Sequence, residues 1–136
     1  MLLVDTNVWL SAADERSVRH GESVALLREH QPELATTVPV IAETSWLILD
    51  RLGPSAQADF LDLVTTGALR RVDLARPDWE RVVALCRQYA DLRLDAVDAS
   101  LVAVAERLQL DAIATYNHRD FRVVRPQHAE TFDLLP

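Results

Sequence analysis

Leu2-Leu3-Val4-Asp5-Thr6-Asn7, at the head of the 136-residue chain, is the stretch on which the fold reading turns. Three apolar residues in succession, with no polar alternation, predict a short strand buried on both faces, as central strands of parallel sheets are. Asp5 then stands at the C-terminal end of that strand, the edge of a parallel α/β sheet where ligand crevices form.

Moving outward, residues 17 to 30 are charge-rich with apolar Val24, Leu26 and Leu27, which predicts an amphipathic helix closed before Pro32. A second strand is expected over Leu34 to Val38. Pro39 suits the first position of a helix running to Leu52, and Gly53 a left-handed C-terminal cap. Pro54 starts another helix, ending near Gly67, and Leu69, Val72 and Leu74 suggest a third strand. Pro77 opens a helix whose Trp79, Val82, Val83, Cys86, Tyr89 and Ala90 fall on one face, and Val97, Leu101, Val104, Ala105 and Leu108 repeat that pattern. Ala112 to Thr115 and Phe121 to Val124 read as two closing strands. Strands alternating with helices predict right-handed crossovers. The expected fold is therefore an α/β, three-layer α/β/α domain with a central, mainly parallel sheet of four to five strands, residues 1–136 forming one domain.

The formal charge of −7 argues against a broad cationic surface for nucleic acid, while leaving room for a local, metal-neutralised site. All 14 basic residues are arginine, which removes Schiff-base and lysine-dependent phosphate-loop chemistry. The single cysteine, Cys86, excludes an intrachain disulfide or a thiolate metal cluster and reads as a core residue. No apolar run approaches a membrane span, and the first residues lack the basic flank of a signal peptide, so a soluble cytoplasmic protein is expected.

Three carboxylates interrupt segments that otherwise read as core. Asp5 is the sole charge in residues 1–13, Glu43 in 34–49 and Asp98 in 96–105. Each has a plain structural use: Asp5 as a helix N-cap, Asp98 as a first-turn acid behind Asp95 as cap, and Glu43 in a buried ion pair with an arginine. Together they suggest more, because sites beyond the C-terminal strand ends converge. Two carboxylates about 5 Å apart repel by roughly 3 kcal/mol at an effective dielectric of 20, and a divalent cation removes that cost. Oxygen donors without histidine or cysteine select magnesium, with manganese the alternative, and such a site suits in-line hydrolysis of a phosphodiester.

These residues resemble the PIN-domain nucleases, specifically the VapC toxins of bacterial toxin–antitoxin pairs. Four segments carry the resemblance in order and spacing: Leu3-Val4-Asp5-Thr6-Asn7, Val40-Ile41-Ala42-Glu43, Val97-Asp98-Ala99-Ser100-Leu101-Val102-Ala103, and Ala114-Thr115-Tyr116-Asn117-His118-Arg119-Asp120-Phe121. The resemblance implies a single-strand-directed endoribonuclease in which Asp5 and Asp98 hold magnesium and Glu43 completes the acidic cluster. It further implies cleavage of transfer RNA or a ribosomal RNA loop to a 3′-hydroxyl and a 5′-phosphate. The implied partners are a VapB-type antitoxin, whose C-terminal segment blocks the cleft, and a second copy of the chain in a homodimer. Thr6 and Thr115 match positions that support the acids.

The chain departs from this pattern at Asn117, where many relatives carry a fourth acid; an amide supplies no charge for a second cation. Asp120 either compensates for the missing acid in a supporting or water-mediated role or pairs with Arg119 or Arg122, the pair being the expectation, and Asp95 is expected to act as a cap rather than a ligand. His118, Arg119 and Arg93 are candidate RNA contacts, with ordinary exposed polarity as the alternative. His20, His30 and His128 read as surface residues, Trp46 and Trp79 as core, and Trp9 as a surface for a dimer or antitoxin. Two other functions compete. A phosphorylation-activated receiver domain needs adjacent acids after the first strand and a lysine after the last, and both are missing. A catalytically silent PIN-like scaffold that only binds protein is disfavoured by retention of all three acids.

Overall fold

A computed structural model describes all of residues 1–136. In chain order the elements are β1 (Leu2–Val4), α1 (Thr6–Ala13), α2 (His20–Glu29), β2 (Leu34–Thr37), α3 (Val38–Leu52), α4 (Pro54–Thr65), β3 (Arg70–Val72), α5 (Arg76–Gln88), α6 (Ala96–Leu108), β4 (Ala112–Ala114), α7 (His118–Val123) and β5 (Asp133–Leu135).

The strands form one sheet in the order β3-β2-β1-β4-β5, with every neighbouring pair parallel. Leu2 lies opposite Leu34 and Leu3 opposite Ile113, which puts β1 at the centre. Every residue of β1 and β2 is buried, so helices must cover both faces of the sheet. The result is three layers around a single cluster of 27 buried apolar residues. After β1 the chain builds β2 and β3 to one side, then crosses back to place β4 and β5 on the other. The order therefore reverses between β1 and β4, and a crevice opens beyond their C-terminal ends.

The helix boundaries follow local chemistry. Thr37 caps α3, its hydroxyl accepting from Val40 N, and Pro39 sits in the first turn, where its missing N–H costs nothing. Gly53 closes α3 and caps α4 with φ 92° and ψ 177°. It is thus not the left-handed helical cap expected, but occupies a region open essentially to glycine alone. Two ion pairs join α5 to α6: Arg81 grips both oxygens of Glu106 at 2.8 and 2.9 Å, and Arg107 Nε donates to both oxygens of the buried Asp78 at 2.9 and 3.0 Å.

Four expectations are corrected. Phe121–Val124 is not a strand: Phe121 and Val124 are buried three residues apart while Val123 is exposed, a helical spacing that belongs to α7 and the residue after it. The fifth strand is Asp133–Leu135, too short to carry a periodic signal. Trp46 and Trp79 are 62% and 48% exposed, because the faces of α3 and α5 that bear them turn away from the sheet, whereas Trp9 is 4% exposed and packs edge-on against Phe60. His128 is also interior: its side chain is 4% exposed, lies 6.0 Å from the Phe132 ring, and donates from Nε2 to Leu110 O at 2.9 Å. No helix is long and apolar enough to cross a membrane.

Candidate active site

Asp5 leaves β1 and caps α1, so the plain structural use and the site coincide in one residue. Its Oδ1 accepts from Thr6 N at 2.7 Å; its Oδ2 accepts from Thr115 Oγ1 at 2.7 Å and Asn7 Nδ2 at 2.8 Å. Thr115 follows β4, so this bond ties the two strand ends that flank the crevice. The Thr115 hydroxyl also accepts from Asn117 N at 3.0 Å and Asn7 Nδ2 at 3.2 Å. Asn7 Oδ1 in turn accepts from Tyr116 N at 2.9 Å. Burial pushes the Asp5 carboxyl up to about 6, against the pull of its bonds to Thr115 and Thr6 and with the charges of Glu43 and Asp95 adding to the rise.

Asp98 arrives from another direction, in the first turn of α6. Asp95 caps that helix, its Oδ1 accepting from Asp98 N at 2.9 Å, as expected. Below it, the buried hydroxyls of Ser100 and Thr37 meet at 2.7 Å and fasten α6 to the end of β2. Burial and the charges of Asp5 and Asp95 push the Asp98 carboxyl up to about 8, with Glu43 adding to the rise and Asn117 opposing it.

Glu43, in the second turn of α3, is half-buried and makes none of the ion pairs in the chain, contrary to the buried arginine pairing that was its plain alternative. Its neighbour Thr44 donates to the Thr6 hydroxyl at 3.2 Å, which binds α3 to α1. Asp5, Glu43, Asp95, Asp98 and Asn117 line one cleft of about 360 Å³. The three acids separated by up to 93 positions in sequence thus share one crevice, joined by Asp95, which contributes charge as well as a cap.

Asn117 occupies the position at which the resemblance places a fourth acid in many relatives. Its Nδ2 donates to Asp98 Oδ2 at 3.1 Å and to Asp120 Oδ2 at 3.0 Å. Two carboxylate acceptors around one amide end require that end to be nitrogen. Asp120 accepts from Asn117 and also lies 3.8 Å from Arg119 Nε, the arginine pairing expected of it. Arg93, His118 and Arg119 are not among the residues lining the cleft. Arg93 is exposed in the turn before α6, and His118 opens α7 beside Asn117.

Two polar lining residues, Asn7 and Arg51, lie outside the expected set. Asn7 was legible in the Asp5-Thr6-Asn7 triplet as a polar residue beside the strand end. Arg51 lies eight residues after Glu43, a spacing that returns to the same helical face.

The groups lining the cleft that could hold a cation are carboxylates, whose oxygens suit a hard ion. No three histidine, cysteine or carboxylate side chains are gathered tightly enough to form a cage by themselves. Crowded, desolvated carboxylates with few direct ligands fit a hydrated magnesium-type ion, which commonly binds through one or two carboxylates and keeps several waters.

The PIN domain family model matches residues 2–125 of the chain. Ribonuclease VapC26 of Mycobacterium tuberculosis is 24% identical over 135 residues, 99% of this chain and all of that protein. The crystal structure of Mycobacterium tuberculosis VapC20, described as a sarcin-ricin loop cleaving toxin, superposes with a TM-score of 0.77 at 20% identity, covering 83% of this chain and 87% of that one. A toxin–antitoxin complex from Klebsiella pneumoniae gives 0.70 at 22% identity over 91% and 92% of the two chains.

Proposed function

The chain belongs to the PIN-domain family, and from that premise we propose that residues 1–136 act as one PIN domain, a divalent-metal-dependent endoribonuclease and the toxin of a VapBC-type pair. The observation that carries this reading is the shared cleft of Asp5, Glu43 and Asp98, in which burial and the neighbouring acids raise the Asp5 and Asp98 carboxyls to about 6 and about 8.

In this reading Asp5 and Asp98 hold magnesium, or manganese in its place. When bound, such an ion supplies charge neutralisation and a water acidic enough to lose its proton near neutral pH, the requirements of in-line phosphodiester hydrolysis. Thr115, Thr6 and Asn7 fix both oxygens of Asp5, so the carboxylate cannot turn away from the crevice. Asn117 does the same for one oxygen of Asp98. Glu43, more open than Asp5 and bound to no arginine, is assigned the proton acceptor for the attacking water.

RNA is the proposed substrate, a transfer RNA or ribosomal RNA loop by analogy with relatives, one of which is described as cleaving the sarcin-ricin loop. An antitoxin partner is supported by the likeness to a toxin–antitoxin complex. A homodimer in the cytoplasm completes the proposal; the exposed Trp46 and Leu49 on α3 offer apolar area for such an interface. Purified protein freed of antitoxin is expected to cut single-stranded RNA with magnesium and to stop when chelator is added. Asp98→Asn is expected to lower the rate at least 100-fold. Cleavage at the parental rate by that variant would remove Asp98 from the mechanism.

A further inference from the structure

We propose that Arg51 anchors the RNA strand through a backbone phosphate a nucleotide or two from the scissile bond, an inference that rests on the ribonuclease reading above. The cleft does not stop at the acids. It runs on between α1 and α3, with Leu10 on one wall and Leu47 and Arg51 on the other. Glu43, Leu47 and Arg51 are spaced by four, so they form one row along α3. Eight residues of helix rise about 12 Å, which sets Arg51 beyond the reacting phosphate and within reach of a neighbour on the same strand.

Arg51 is the sole basic residue lining the cleft. It takes part in none of the ion pairs of the chain. Asp14, at the end of α1, feels its charge, but that carboxylate is engaged first by Arg16, whose Nε lies 3.1 Å away. A cation in the last turn of a helix is favoured by the helix dipole whatever its face. Here the face is the one shared with Glu43, and the charge is left unspent in a cleft otherwise repulsive to a polyanion. Guanidinium suits the task because its fork matches phosphate oxygens.

The test measures kcat and KM for a short unstructured RNA with magnesium over a series of KCl concentrations. Arg51→Gln is expected to raise KM about tenfold with kcat within twofold. It should also flatten the dependence of log(kcat/KM) on log salt by about 0.7, the value of one phosphate contact on a single strand. Arg51→Lys should keep the parental slope, since lysine still neutralises a phosphate. Arg87→Gln, which removes the same charge from α5, should match the parent. A parental KM and slope in Arg51→Gln, or an equal effect in Arg87→Gln, overturns the inference while leaving the ribonuclease reading intact. Absence of magnesium-dependent cleavage by the parent overturns both.

Discussion

The side-chain amide of Asn117 donates to Asp98 Oδ2 at 3.1 Å, so the position at which a fourth negative charge was sought instead supplies a hydrogen-bond donor to the acid beside it. The same nitrogen reaches Asp120 at 3.0 Å. An amide here both removes one repulsive charge from a cleft that already carries four carboxylates and holds Asp98 in a fixed rotamer.

Asn117→Asp reverses this effect. Exchange of the donor for a like charge should destabilise the metal-free protein at pH 8 by about 1–2 kcal/mol, a few degrees in Tm. Saturating magnesium should recover most of the loss. Thermal melts with and without chelator check the prediction, and an unchanged melting temperature in chelator would show that the tie contributes nothing.

Stability without metal should fall as pH rises from about 4 to about 8. Asp5 and Asp98 keep their protons in the folded state up to about 6 and about 8, whereas the unfolded chain releases them near 3.8. Between those limits the native state binds more protons, so the stabilisation is complete below the unfolded value and is lost as pH passes through each folded value. For Asp98 the effect, discounted for its partial exposure, is about 2 kcal/mol. Urea unfolding in chelator at pH 5 and pH 8 measures it, and Asp98→Asn should flatten the difference between the two.

Magnesium should raise Tm more at pH 8 than at pH 6, because at the lower pH the ion must displace a proton from Asp98. In Asp98→Asn most of the magnesium-induced shift should vanish at both values. A shift of equal size in parent and variant would place the ion elsewhere.

Glu106→Ala tests a structural pairing far from this chemistry. It strands Arg81 and the backbone N–H of Gln127, both of which Glu106 accepts from while itself buried. Loss of one partner from such a pair costs about 3–5 kcal/mol, read as a lower denaturation midpoint in urea.

Much of this architecture was legible in the chain because the signals were local. Leu2–Val4 has no polar residue to allow a solvent face, Pro39 and Pro54 mark helix starts, and the three isolated acids sit where an apolar sequence makes charge conspicuous. Tertiary context decided the rest. Phe121 and Val123 suit a strand by their alternation, yet the buried pair is Phe121 and Val124, a choice made by the apolar core that both side chains join. Trp46 and Trp79 have core chemistry but project from outer helical faces. The bridging role of Asn117 depends on Asp98, 19 positions away, and no spacing rule could supply it.

The central claim is that Asp5 and Asp98 together bind a divalent ion, and anomalous diffraction from a manganese-soaked crystal tests it most directly. A peak in the cleft within about 2.0–2.3 Å of a carboxylate oxygen from each residue, absent from Asp98→Asn, is the expected result. A parent crystal at saturating manganese with no peak beside these two carboxylates would contradict it.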